Sequence, residues 1–196
     1  MTAGAVWLRF KAHPPYESLM SMHKISLITF AGIAALAAGC AAMNPSGPRA
    51  TAVLAPTTGN TASGTVQFTS AGGRVRVQGE VRGLKPNAQH GFHVHEKGDC
   101  SSGDGMSTGG HFNPNSQPHG RHAAGTHHAG DLPSLQADAR GVAQFNFESA
   151  SITVGSGASD VVGKGLIVHR DPDDYTTQPT GNAGPRLACA VIALQR

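Results

Sequence analysis

Runs of charge are missing from this sequence: Asp, Glu, Lys and Arg together make up 14% of its 196 residues, and no basic stretch interleaves with aromatics. A nucleic-acid surface therefore has no footing. The formal net charge of +3 shrinks further beyond residue 40, where 12 Lys and Arg stand against 11 Asp and Glu. Apolar stripes at helical spacing are also scarce, whereas 26 glycines and 12 prolines are present. This balance disfavours helices and favours short strands joined by turns. The one long apolar run, "ISLITFAGIAALAA" from Ile25 to Ala38, is shorter than the ~20 residues a spanning helix needs and has no basic stop signal after it. Cysteine is rare too, with three in the chain.

What is present begins with that apolar run. Lys24 precedes it and small residues follow, the pattern of an export signal. Its end, "LAAGC", resembles a bacterial lipobox in which Cys40 is lipidated and becomes the mature N-terminus. Ala37 stands where leucine is commonest in that pattern, so ordinary cleavage nearby is the competing reading. Residues 1–19 resemble neither signal nor fold, and a start at Met20 or Met22 gives a leader of ordinary size. The expected organisation is a leader over 1–40, comprising an extension (1–19) and the signal (20–40), a flexible tether over 41–60, and one domain over 61–196. An exported chain, placed in the periplasm and touching membrane only through a lipid on Cys40, keeps Cys100 and Cys189 in its body. Export makes a disulfide between them the default. Closing so long a loop contributes about 4 kcal/mol on the chain-entropy estimate.

The body alternates as strands do. "TVQFT", "RVRVQGEVRGL" and "AQFNFES" place apolar residues at every second position, and "SITV", "GLIVHR" and "LACAVIAL" complete the set. "SAGG", "KPNAQ" and "DARG" supply turns. The fold class is antiparallel all-β. Two stretches break the alternation, one between Glu96 and Leu135 and one from Asp171 to Arg186, and loops of such length carry function or an organising ion.

Histidine is the outlier, at 11. In "HGFHVHEKGDC", His93 and His95 lie two apart on a strand, so their imidazoles share a face and can reach one ion. The first loop contains "GGHFNPNSQPHGRHAAGTHHAGDL", where His111, His119, His128 and Asp131 offer three imidazoles and a carboxylate, a set of the right type and number for tetrahedral zinc. His127 competes with His128 for that position, and the spacing to Asp131 in "HAGD" favours the latter. His122 likewise competes with His119, which "PHG" favours. His169, on a strand, can join His93 and His95. His90 reads as a histidine packed behind them with its polar atoms satisfied, and His13 and His23 fall in the leader.

The motifs "GFHVHEKGD", "GGHFNP", "HHAGDL", "GLIVHRDPDD" and "GNAGPRLACAVI" resemble, in order, the successive signatures of the copper/zinc superoxide dismutases. The resemblance runs from about residue 61 to 196. It implies an eight-stranded Greek-key antiparallel barrel or sandwich, of the immunoglobulin-like kind, with two long functional loops. It further implies copper on His93, His95, His111 and His169, with zinc on His111, His119, His128 and Asp131, so that His111 bridges the metals. Asp173 matches the carboxylate that hydrogen-bonds one ligand from each site. Arg186 matches the arginine beside the copper, Cys100 and Cys189 match the family disulfide, and the substrate implied is superoxide. The loop "YTTQPTGNAG" lacks the lysine and glutamates that steer substrate in animal members. A homodimer is open on this reading, and so is a module of the same fold that stores or delivers copper without turnover; filled ligand positions and Arg186 favour the enzyme.

Mass spectrometry of the precursor tests the leader. Peptides covering Val6 to Arg9 should be absent if translation begins at Met20 or Met22, and their detection would refute the later start.

Overall fold

In the computed structural model, which describes residues 47–196, every regular element longer than one helical turn is a strand. The strands are β1 (Arg49–Pro56), β2 (Ser63–Ala71), β3 (Arg74–Arg82), β4 (Gln89–His90), β5 (Phe92–His95), β6 (Leu135–Gln136), β7 (Ala143–Ser149), β8 (Gly165–His169), β9 (Arg186–Val191) and β10 (Ala193–Leu194). Eight of them form one antiparallel sheet in the order β5-β8-β9-β1-β2-β3-β7, with β10 also on β1. β4 and β6 form a separate pair. The all-β expectation holds. The leader, Cys40 included, lies outside the described residues.

The strand pattern follows from alternation. β2 buries Val66 and Phe68 and β3 buries Val75, Val77 and Val81, while residues between them face outward. Gly72 and Gly73, both at positive φ (59° and 77°), close the hairpin between the paired residues Ala71 and Arg74. Such a two-residue turn matches the right-handed twist of its strands. The sheet curls until its end strands meet, and the Phe92 ring of β5 stands edge-on to Phe145 of β7 with centroids 5.3 Å apart. Phe68, Phe92, Leu132, Leu135, Ile152, Leu166 and Ile192 fill the interior.

Two expectations need correction. The segment 41–60 is not a tether along its length: Arg49–Pro56 is β1, paired with β2 on one side and with β9 and β10 on the other. Its buried residues are Ala50, Ala52 and Leu54. Small alanines and a terminal proline carry little strand propensity, so placement in mid-sheet, and not local preference, decides the conformation. "SITV" is not a strand either. Ile152 and Val154 are buried, but Thr153 bonds back to Ser156 and the Asp160 carboxylate takes the Gly155 and Val162 amides, curling the chain. The loop after Glu96 shares in the core through Phe112, Ala129 and Leu132.

That loop lies along the free edge of β5. The Val94 amide donates to Gly130 O (2.9 Å) and the Phe112 amide to Val94 O (2.8 Å), and residue bridges set His111 opposite His95 and Asp131 opposite His93. Cys100 at the start of the loop is bonded to Cys189 of β9 across 89 residues of sequence. Unpaired edge groups of β5 thus find partners, and the loop's histidines are delivered beside the strand's own.

If Arg49–Pro56 is sheet, Leu54→Ala removes core side chain and should lower unfolding free energy by about 2–4 kcal/mol in a denaturant titration. A change near zero would return the segment to a tether.

Candidate metal centre

β5 is buried on both faces, and its His93 and His95 point to the same side as the sequence period requires. His169 ends β8, where the register with β9 shifts between Val168 and His169, and its amide donates to Gly91 O (2.8 Å). With His111 these residues make one buried group whose ligand atoms all lie within 4.8 Å of one another. The His93 ring centroid is 4.0 Å from that of His111 and 4.9 Å from that of His169.

Each imidazole has two ring nitrogens, and the accounting of them is systematic. His95 Nδ1 donates to Gly109 O (2.9 Å), His169 Nδ1 to Gly184 O (3.0 Å), and His93 Nε2 to Asp173 Oδ2 (2.8 Å). The remaining nitrogens, His95 Nε2, His169 Nε2, His93 Nδ1 and His111 Nε2, are buried with no hydrogen-bond partner. An unsatisfied buried acceptor costs about 1–3 kcal/mol, and four in one place demand a common partner. Four neutral imidazoles with their tautomers fixed fit a copper ion. Burial drives the pKa of His95 and His169 well below the usual value, and lowers that of His93 against the pull of Asp173.

His111 also belongs to a second buried group, with His119, His128 and Asp131. Asp131 Oδ1 has three ring nitrogens around it, His111 Nδ1 at 2.8 Å, His119 Nδ1 at 3.0 Å and His128 Nδ1 at 3.2 Å. The His119 nitrogen is near the oxygen but not aligned as a hydrogen bond to it, and counts among the orphaned atoms. Three imidazoles and one carboxylate converging in this way fit a four-coordinate zinc ion. Asp131 Oδ2 is held by the amides of Gly120 (3.1 Å) and His128 (2.9 Å).

Asp173 ties the groups together. Its Oδ1 accepts from His119 Nε2 at 2.9 Å while Oδ2 accepts from His93, and the Tyr175 amide completes the carboxylate at 2.7 Å. Burial alone would raise the pKa of Asp131 and Asp173, but the surrounding imidazoles and amides outweigh it and hold both carboxylates well below the usual range. Gly181, at φ +64°, backs this contact. A Cβ there would sit 1.9 Å from Asp173 Oδ1 and 2.4 Å from His119 Nε2, so only glycine admits the bond.

Arg186, half-buried at the start of β9, is paired in the sheet with His169. Its Nη1 donates to Gly105 O and, at 2.7 Å, to Thr108 Oγ1; its Nη2 donates to Gly109 O at 2.7 Å. Three of the five N–H groups of a guanidinium are thereby engaged with the first loop.

The residues singled out in sequence therefore gather as two groups sharing His111, with Asp173 between them and Arg186 beside the first. His122 and His127 stay outside both. His90 differs from expectation: Nδ1 bonds to His169 O (2.9 Å), but the buried Nε2 has no partner. The carbonyls of Gly109 and Gly184, the Thr108 hydroxyl and the open side of Gly181 escaped the sequence reading. Backbone acceptors carry no residue signature, and only the glycine-rich "STGG" and "TGNAG" stretches hinted at close approach.

A family model described as copper/zinc superoxide dismutase (SODC) matches residues 62–192. Among solved structures, one titled "Crystal Structure Analysis of the clock protein EA4" is similar at a TM-score of 0.69 and 40% identity, over 75% of this chain and 94% of that one. Copper and zinc are thus the metals this ligand pattern is associated with. The chain belongs to the copper/zinc superoxide dismutase family.

Proposed function

We propose that this chain is an exported enzyme that dismutates superoxide to dioxygen and hydrogen peroxide, with copper on His93, His95, His111 and His169 and zinc on His111, His119, His128 and Asp131. The observation that carries the reading is the membership of His111 in both buried groups. Bound copper supplies one-electron cycling and bound zinc a fixed charge. The chain's own residues do the rest. Asp173 and the carbonyls of Gly109 and Gly184 hold ligand tautomers, so the nitrogens facing the ions stay neutral donors. His111 Nε2, when not ligating, would hold one proton between the two half-reactions and yield it to the peroxide formed, with the second proton taken from water. Arg186, with N–H groups left free by its loop contacts, attracts and orients the anion.

A store or carrier of copper needs the ligands but no fixed cation beside them. The half-buried guanidinium favours turnover over storage. Export agrees with a leader-like N-terminus and with the Cys100–Cys189 bond, and a lipid on Cys40 would keep the domain at a membrane surface.

Arg186→Ala should keep both metals by elemental analysis while superoxide removal falls by about tenfold or more and loses much of its salt dependence. Activity near wild type would remove Arg186 from the mechanism.

Protons compete with the ions for the same nitrogens. Burial pushes the His111 pKa down to about 4, with Asp131 opposing, from an ordinary 6.5. The unfolded chain therefore binds this proton first, so the stability is fully present above about 6.5 and is lost as pH falls toward and through about 4. His95 and His169 act with the same sign. His119 is the reverse: burial would lower it, but Asp131 and Asp173 raise it to about 9, and its contribution fades as pH rises through that value. Chelator-stripped protein should thus show a melting midpoint that drops on acidification below about 6.5, while the metal-loaded protein melts higher at neutral pH and falls at least as steeply, because its loaded nitrogens take up protons only on unfolding. A loaded curve that coincides with the stripped one would mean that the ions do not occupy these nitrogens.

A further inference from the structure

Three members of the second buried group are seated by the docking of the first loop itself, His111 and Asp131 through residue bridges to β5 and His128 through its amide, which donates to Asp131 Oδ2. His119 is seated in another way. Residues 114–118 before it are exposed, so no core anchors the chain that carries it. A histidine has four polar groups, its amide, its carbonyl and two ring nitrogens. Three of those of His119 are bonded, and every partner belongs to the second loop. The ring Nε2 donates to Asp173 Oδ1 (2.9 Å), the amide donates to Gln178 Oε1 (2.8 Å), and the carbonyl accepts from Gln178 Nε2 (2.9 Å). The fourth, Nδ1, lies in the second group, 3.0 Å from Asp131 Oδ1.

One side-chain amide thus takes both main-chain groups of a single residue, as the opposite residue of an antiparallel ladder does. Two such bonds fix the orientation of the peptide as well as its position. The amide is itself held by its own loop. The Asp174 carboxylate accepts from the amides of Thr176 (2.9 Å) and Thr177 (2.8 Å) and from the Thr177 hydroxyl (2.6 Å). The Gly181 amide donates to Thr177 O (2.7 Å), and the Asp174 amide donates to Gly181 O (2.9 Å). Residues 174–181 therefore close into a turn that carries Gln178, and its grip on His119 needs little further ordering. The rival histidine of the sequence is held differently, since His122 turns its ring nitrogens to the carbonyls of Asp131 (3.0 Å) and Glu148 (3.4 Å).

We propose that Gln178 is a positioning residue for His119: from the second loop its amide sets the main chain of that histidine, so that the ring, held at Nε2 by Asp173, presents Nδ1 to zinc. This role deepens the proposed function and rests on its assignment of zinc to the second group, not on superoxide turnover. Gln178 acts through His119 alone. Because its side chain is exposed, replacing it leaves no cavity in the core.

Zinc release from the metal-loaded full-length protein into excess chelator tests the role, with copper followed in the same samples. Gln178→Ala and Gln178→Met both remove the two bonds, the second while keeping the length of the side chain, and each should release zinc about tenfold faster than wild type with copper release unchanged. Gln178→Glu keeps an acceptor for the His119 amide but sets an oxygen against its carbonyl, and should release zinc at least as fast as Gln178→Met. With Co2+ in the zinc pocket, the visible spectrum of all three variants should differ from that of wild type, because one ligand is redirected. Zinc release at the wild-type rate in Gln178→Met, or an unaltered cobalt spectrum in every variant, would refute the role. So would copper and zinc leaving faster by the same factor, which is the mark of general destabilisation. A wild-type protein that takes up no zinc would overturn the metal assignment and this role together. Absent superoxide removal in wild type that holds both metals, with the expected release rates in the variants, would count against the proposed function alone.

Discussion

The pinning of one nitrogen on four of the six inner imidazoles is the constraint from which the rest of this architecture follows. A free imidazole can offer either nitrogen to an ion, and its ring can turn. Here His93, His95, His119 and His169 each have one nitrogen bonded to a carboxylate or carbonyl, and that leaves the other as an acceptor with a fixed direction. Two of the four bonds go to the same residue, Asp173. The two pockets are therefore joined twice, through the His111 ring and through one carboxylate. A displacement of Asp173 would misdirect a ligand in each pocket together.

Such convergence has to be supported by chain that has little core of its own. β5 supplies two potential ligands because an extended strand repeats every two residues, and β8 supplies a third because its end lies antiparallel beside β5. The others come from a loop that lies along the β5 edge through alternate amide bonds. Edge pairing thus does two tasks. It satisfies backbone groups that would otherwise be exposed, and it sets His111 and Asp131 across from His95 and His93.

Much of this could be read from the sequence, and the boundary between what could and could not is physical. Alternation in β2, β3 and β7 and the doubled glycine at 72–73 are local signals, and the structure follows them. The seven potential ligand residues were visible because histidine and aspartate are chemically distinct and their spacing is regular. β1 was not visible, since "RATAVLAP" is strand only by virtue of its neighbours on both sides. The restraint on the ligands was also hidden. It depends on carbonyls of Gly109 and Gly184 and on Gly181, whose importance lies in the side chain it lacks.

Arg186 shows how covalent and polar restraints combine. It lies three residues before Cys189 on β9, and the first loop meets that strand twice. Cys100 is bonded to Cys189, and nine residues further on the Gly109 carbonyl accepts from Arg186. The same carbonyl oxygen accepts from His95 Nδ1. One backbone oxygen therefore fixes a ligand ring and a guanidinium relative to each other, and the disulfide limits how far the intervening loop can carry that oxygen away. On this account the bridge acts on geometry beyond its effect on the unfolded chain. Without it the loop could still fold onto the β5 edge, but the distance between arginine and the first pocket would rest on the arginine's own three bonds to the loop it is meant to position.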